Sequence, residues 1–469
     1  MSVQVSDADR AEVAGFVERA RSAQREYGGW GQADVDDVVA GVAWAGYRED
    51  RAEELGRVAA LDSGMGVAED KREKIRRKTL GTLADLTGAV SVGVVSDDPV
   101  TGITEIAKPV GVVAALIPST NPEATPINKA MMALKGRNAV VFSPSPKAAR
   151  TCGKAVDYMR DELAKVGAPL DLVQVMSEPT KALSYELMAQ CDLSVVTGSQ
   201  RNVRAAYRSG KPAIGVGLGN ATVVVDATAD IADAAAKIRF SKTFDNATSC
   251  SSENALVVHE DVYADMVEAL ESEGGYVCSA AERDRLEAVM WVDGALNPEI
   301  IAQPAARIAE LAGLGPDAAD AAFFMVEGTG TGPDHPFSGE KLSVVLTLYR
   351  YGEFSDAIAL VQDILAYQGI GHSCGIHTTD EAKARRLALE VDVARVLVNQ
   401  AHAVGNGGAF DNGLNTTLTM GCGTWAGNAI SENLSYRHFL NTTRLVRPIG
   451  GDAPAEESVF GGYWERYGR

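Results

Sequence analysis

The sequence predicts an α/β protein, with a Rossmann-type, doubly wound domain, a second α/β unit and a projecting hairpin. Three observations carry that prediction. From residue 110 onward, short apolar runs alternate with amphipathic stretches, as parallel strands joined by crossover helices do. The alternation starts afresh near residue 243, after a segment of small and polar residues. Between residues 90 and 110 the period is two, around the turn signals Asp97-Asp98-Pro99 and Thr101-Gly102, as in a hairpin standing out from the body. A chain of 469 residues suits two or three domains of roughly 150 residues each.

In order along the chain, residues 7–64 read as helices, with apolar side chains one turn apart at Val13, Phe16 and Ala20. Ser6 and Asp9 have the spacing of a capping box. After the hairpin come strand 110–117, helix 123–134, strand 139–142, helix 147–165, strand 172–176 and helix 181–190. Strand 193–197, helix 201–208, strands 213–216 and 221–225, and helix 231–242 complete the first unit. The second has strand 256–259, helix 263–272, strand 341–349, helix 354–367, strand 374–377 and helix 381–398. Residues 406–424, rich in Gly, Asn and Thr, read as loop. The expected division is a nucleotide-binding domain over 1–242, a catalytic domain over 243–428, and a segment 429–469 that returns to the first domain or to a subunit contact. The aromatic tail 458–468 is expected to dock on something, another subunit included.

Charge narrows the function. With 44 basic and 63 acidic residues the net charge is −19, which disfavours a nucleic-acid partner. The six cysteines are scattered without a CxxC pair, so neither a zinc site nor a disulfide framework is expected, and no His/Asp/Glu cluster has metal-ligand spacing. The polar start is unlike a signal peptide, and no apolar run approaches the roughly twenty residues of a membrane span, so the cytoplasm is the expected compartment.

One thiol stands apart. Thr243-Phe-Asp-Asn-Ala-Thr-Ser-Cys250-Ser-Ser-Glu-Asn254 sets Cys250 among small and polar residues, between a helical pattern and an apolar run, where a nucleophile fits better than a core filler. About thirty residues upstream, Ile214-Gly-Val-Gly-Leu-Gly-Asn220 contains no carboxylate. Its three glycines have a dinucleotide-fingerprint look, but a strand-like run follows instead of a helix. Close backbone approach near the thiol is the better reading. Thr197-Gly198-Ser199 ends a strand and precedes a helix, which suits a pyrophosphate, a simple helix cap, or both.

The segment around Cys250 resembles the nucleophile segment of the CoA-acylating branch of the aldehyde dehydrogenase superfamily. Ile117-Pro-Ser-Thr-Asn-Pro122, Gly339-Glu-Lys-Leu-Ser343 and Gly421-Cys-Gly-Thr-Trp-Ala-Gly-Asn-Ala-Ile-Ser-Glu432 agree, in the family's order and across nearly the whole chain. The resemblance implies an aldehyde dehydrogenase-like fold and a Cys250 thioester passed to CoA, with NAD or NADP as cofactor. It implies that Asn121 is the oxyanion donor; a turn residue before Pro122 is the alternative. Ile117, Pro118, Ser119 and Thr120, with Thr197, Gly198, Ser199 and Gly217, would line the cofactor site, and Glu340 would hold the nicotinamide ribose. Ser143, Ser145 and Lys147 fall in the adenine-ribose zone, where the lack of a carboxylate leaves NADP open; a solvated helix start is the alternative for Lys147. Hydrolytic relatives carry a water-activating glutamate where this chain has Val216 or Gly217, with Glu253 and Glu340 the remaining candidate bases. His372 faces CoA or substrate, or is structural. Arg437, His438 and Arg444 form a basic cluster that meets an anionic group such as a sulfonate or, on the preferred reading, a subunit contact. The aldehyde stays open among acetaldehyde, propionaldehyde, succinate semialdehyde, glycolaldehyde and sulfoacetaldehyde. A homodimer or homotetramer is expected.

Overall fold

The computed structural model describes residues 4–469. It opens with four helices, α1 (Asp7–Tyr27), α2 (Gln32–Tyr47), α3 (Glu49–Ser63) and α4 (Ala68–Leu86). The capping box is in place at the first: Asp9 N donates to Ser6 Oγ at 3.1 Å and Ser6 N to Asp9 Oδ2 at 2.8 Å. α4 was not legible as an element. It buries Lys71, Lys74 and Lys78, and a buried ammonium is tolerated only with acceptors around it. Those acceptors turn out to belong to the functional site.

β1 (Gly93–Asp98) and β2 (Ile103–Pro109) form the antiparallel hairpin. β3 (Val112–Ile117), β4 (Ala139–Pro144), β5 (Val173–Val175), β6 (Leu193–Val196) and β7 (Ala213–Gly215) make a parallel sheet in the order β5-β4-β3-β6-β7. The sheet grows one way from β3 through β4 and the other way through β6. The reversal leaves a crevice beyond the carboxyl ends of β3 and β6, the usual ligand position in such sheets.

The second sheet is built from β8 (Ala221–Val225), β9 (Glu253–His259), β10 (Gly275–Val277), β13 (Phe323–Glu327), β14 (Val345–Tyr351), β15 (Cys374–His377) and β16 (Val396–Val398), with β11 (Trp291–Val292) and β12 (Ala295–Leu296) as a separate small ribbon. Its order is β10-β13-β14-β9-β8-β15-β16 and every pairing is parallel. The last strand, β17 (Leu440–Val446), returns to pair with β2.

Two expectations are corrected here. The run 221–225 was assigned to the first domain, but β8 lies between β9 and β15 at the middle of the second sheet. The helix Ile231–Thr243 goes with it, packing Ala234, Ala235 and Ile238 against that sheet's core. A strand buried on both faces reads the same whichever sheet it joins, so only pairing reveals the boundary near residue 220. The helix expected over 381–398 stops at Glu390, and β16 follows. Val391, Val393, Val396 and Val398 are β-branched and suit the extended chain.

The hydrophobic core around the first sheet runs from Val13 to Ile214 and is completed by Leu434 and Phe439 from the end of the chain. Beyond β17 the chain is exposed, and the helix Glu456–Tyr467 buries nothing, with Phe460 stacked on Trp464 at 5.8 Å. Among the described residues, no helix is long and apolar enough to cross a membrane.

Candidate active site

A cavity of about 540 Å³ lies where the carboxyl ends of β3, β4 and β6 face the loop that ends in Cys250. Cys250 is half-buried and lines it, whereas the other five cysteines are buried. The loop is held in an unusual shape. Asp245, Asn246 and Ala247 have φ of 52°, 50° and 59°, a left-handed conformation that costs a non-glycine residue about 1–2 kcal/mol. Its surroundings impose it. Asp245 N donates to Asp70 Oδ2 at 2.8 Å, and Asp245 Oδ1 accepts from Val67 N at 2.7 Å. Asp245 Oδ2 accepts from Lys71 Nζ at 3.0 Å, from Thr248 Oγ1 at 2.7 Å, and from Lys74 Nζ. Burial opposes the Asp245 charge, but Lys74 and then Lys71 outweigh it and hold the carboxyl below its ordinary range.

Lys74 links this loop to the amide expected to serve as oxyanion donor. Its Nζ donates to Asn121 Oδ1 at 2.6 Å and to Thr248 Oγ1 at 3.1 Å as well as to Asp245. Burial works against the ammonium, but Asp245 and then Glu123 more than compensate, so the proton is held more tightly than in water. With Oδ1 fixed, the Asn121 carboxamide cannot flip. Asn121 Nδ2 donates to Thr120 Oγ1 at 3.2 Å, and its other hydrogen has no protein acceptor on this cavity wall.

His372 Nε2 lies 3.3 Å from Cys250 Sγ, and His372 Nδ1 lies 2.8 Å from Ser373 Oγ. Arg395 Nη2 donates to His372 O at 2.8 Å. Burial, then the Arg395 and His402 charges, push the imidazole well below its ordinary value, so it is neutral. Burial pushes the Cys250 thiol up to about 12, with Glu340 and Cys422 adding to it and Ser251 and Arg395 opposing. The resting pair is therefore a protonated thiol beside a neutral imidazole, able to pass the proton as a bond to sulfur forms.

Gly219 is fixed by space. A Cβ there would sit 2.0 Å from Cys250 O, so only glycine lets this backbone pass the thiol loop. Val216 and Gly217 line the cavity and offer no carboxylate. Glu253 does not line it; it is buried behind, where its Oε1 accepts from His402 N at 3.1 Å. Glu340 does line it, its carboxyl pushed up to about 8 by burial against the opposing pull of the Gly219 N–H.

Ile117, Pro118, Ser119 and Thr120 leave β3, and Thr197, Gly198 and Ser199 leave β6; all line the crevice, with Ser143 and Ser145 beside them. Ser199 caps the helix Gln200–Arg208, accepting from Asn202 N at 3.4 Å. A crevice at the strand-order reversal, with a helix N-terminus and hydroxyls along it, fits a dinucleotide. Lys147 is different: the turn Pro146–Ala148 leaves it exposed and off the wall, which Lys181 and Arg201 join instead. Arg437 and Arg444 are also off it. Arg444 pairs with Glu105 at 2.9 Å on the exposed three-stranded sheet, and Arg437 lies over the Tyr436 ring.

Sequence reasoning passed over Lys74, Arg77 and Lys78 on α4 and Arg395 before β16. Their signal was weak because a basic run usually marks a solvated helix face.

A dinucleotide crevice that opens onto a thiol, an imidazole and a fixed amide defines a class of enzyme, one that oxidises a carbonyl held on sulfur. A sequence model of the aldehyde dehydrogenase family matches residues 1–274. The sulfoacetaldehyde dehydrogenase (acylating) of Cupriavidus necator is 51% identical over 100% of this chain and 96% of its own. An acetylating aldehyde dehydrogenase from Geobacillus thermoglucosidasius superposes with a TM-score of 0.92 at 36% identity, covering 96% of this chain and 98% of that one. A propionaldehyde dehydrogenase from Rhodopseudomonas palustris, solved with bound CoA and an acylated cysteine, superposes with a TM-score of 0.82 at 27% identity, over 93% and 97%. The chain belongs to the aldehyde dehydrogenase family, in its acylating branch.

Proposed function

We propose that this protein catalyses the CoA-dependent oxidation of sulfoacetaldehyde to sulfoacetyl-CoA with NAD or NADP, and the reverse reduction. One observation carries the acylating half. Cys250 Sγ faces the crevice beside Asn121 and His372, while Val216 and Gly217 present no base to activate water. The 51% identity to a sulfoacetaldehyde dehydrogenase supports the substrate.

The residues act in sequence. Cys250 Sγ adds to the aldehyde carbon as its proton passes to His372 Nε2, 3.3 Å away. The oxyanion takes the free Asn121 Nδ2 hydrogen and the Cys250 N–H. NAD(P), when bound, supplies acceptance of hydride from that carbon. A thioester then remains on Cys250. His372, once its first proton has passed to solvent, takes the proton of the CoA thiol as that sulfur attacks the thioester carbon; the C–S bond to Cys250 then breaks and the imidazole returns the proton to Cys250 Sγ. Ile117, Pro118, Ser119, Thr120, Ser143, Ser145, Thr197, Gly198, Ser199 and Gly217 make up the cofactor wall of this reading, and Glu340, on the same cavity, would hold the nicotinamide ribose. This reading is of a cytoplasmic homodimer or homotetramer, and the exposed sheet of β1, β2 and β17 supports the assembly.

The test is NAD(P)H formation from sulfoacetaldehyde with and without CoA. Strict dependence on CoA is expected. One observation favours a hydrolytic second reading: Glu340 faces the thiol with a carboxyl that titrates at about 8. Free acid formed at equal rate without CoA would decide for it.

A further inference from the structure

α4 brings three cations to the cavity wall: Lys74, Arg77 and Lys78. Two are committed. Lys74 uses its donors on Asn121, Asp245 and Thr248. Lys78 Nζ donates to Gly407 O at 2.7 Å and to Gly408 O at 3.0 Å. Among the described residues Arg77 has no partner within hydrogen-bonding or ion-pairing distance, and its Nε is buried and unsatisfied. The carboxylate that bears on it, Glu73 one turn back, is exposed on the solvent side.

A guanidinium partly withdrawn from water with no anion beside it is costly, and an anion in the cavity would offset that cost. The position is apt. Arg77 is one turn from Lys74 on the same helix face, so their Cβ atoms are about 5–6 Å apart. Lys74 itself touches Asn121 and Thr248, which line the same cavity as the reacting sulfur. The Arg77 guanidinium lies 5.4 Å from the centroid of Phe244, in the loop that ends at Cys250. Beside that sulfur, Ser249 Oγ accepts from Ser251 N at 3.2 Å, and its own hydrogen has no acceptor. Lys78 is pushed down to about 7 by burial and then by Arg77. An anion at Arg77 would ease that repulsion.

We propose that Arg77, backed by Lys78 and with the Ser249 hydroxyl alongside, is an anion subsite on the acyl side of the cavity that receives the sulfonate of the aldehyde. The inference rests on the substrate reading above for the identity of the anion, though not for its existence.

The experiment compares wild type, Arg77→Met and Arg77→Lys. The ratio of kcat/KM for sulfoacetaldehyde to that for acetaldehyde, both with CoA, is the readout, together with competitive inhibition of acetaldehyde oxidation by ethanesulfonate. Arg77→Met is expected to lower the ratio about a hundredfold, mainly through KM, and to abolish ethanesulfonate inhibition. Arg77→Lys keeps the charge but loses the fork and is expected to fall about tenfold. An unchanged ratio in either variant overturns the proposal. So does ethanesulfonate that neither inhibits the wild type nor raises its Tm, a result that needs no variant to fold. Wild type that ignores sulfoacetaldehyde but is inhibited by ethanesulfonate through Arg77 overturns the substrate reading and leaves the anion subsite standing.

Discussion

The two walls of the cavity are made differently. The crevice wall, from β3, β4 and β6, offers mostly backbone and short neutral hydroxyls, Ser119, Thr120, Ser143, Thr197 and Ser199, with Lys181 and Arg201 joining them. The opposite wall, from α4 and the thiol loop, is set by buried charge: Lys71 and Lys74 on Asp245, and Arg77 and Lys78 beyond them. A wall of short neutral groups fits a cofactor that is shared by every aldehyde. A wall of charge tied to the thiol loop holds the reacting groups in place and, through Arg77, would tell one aldehyde from another. Changes on the charged wall should therefore be large and substrate-dependent, and those on the neutral wall small and uniform.

The largest effect should come from Cys250→Ala, which is expected to lower NAD(P)H formation and acyl-CoA reduction by at least roughly ten-thousandfold while nucleotide binding, followed by fluorescence titration, persists. Activity surviving that change would remove the nucleophile from the account. His372→Ala should follow, at about a hundred- to ten-thousandfold in kcat. Its pH profile is the finer test. Burial holds the imidazole neutral, its proton lost well below the ordinary value. The wild-type rate should therefore show no step near the usual histidine range and should climb with pH as the thiol, pushed up to about 12, gives up its proton. A rate that falls away on acidification with an apparent pKa of about 6.5 would mean an ordinary, solvated histidine instead.

Asn121→Ala is expected to cost about a hundred- to a thousandfold in kcat with KM little changed, read by steady-state kinetics on two aldehydes. Equal losses in KM would make Asn121 a binding residue only. Ser199→Ala, on the neutral wall, should do least. Losing the cap of one short helix costs about 1 kcal/mol, or roughly a fivefold rise in nucleotide KM, alike for all aldehydes. A change there that altered aldehyde preference would break the contrast between the walls.

The neutral wall was the more legible in the sequence. Strand ends in an alternating pattern announce themselves, and Ile117–Thr120 and Thr197–Ser199 lie where such ends must meet. Lys147 takes the solvated of its two readings, because a Pro-flanked turn redirects one side chain without changing the pattern. The charged wall was hidden. α4 has Lys or Arg at positions 71, 72, 74, 76, 77 and 78, and nothing in that string tells the buried from the solvated. Arg72 and Arg76 indeed pair with Glu49 near the surface. What buries Lys74 is Asp245, more than 170 residues away. The boundary at residue 220 was hidden for the same reason, since pairing partners are not local.

The ammonium of Lys74 joins α4, the segment after β3 and the segment before β9, and so ties both sheets at one point. Pulling them apart there would strand Asp245 without its counter-ions, at about 3–5 kcal/mol. Any parting of the two sheets would then be least at the sulfur end, which acts as the rivet of a pair of shears.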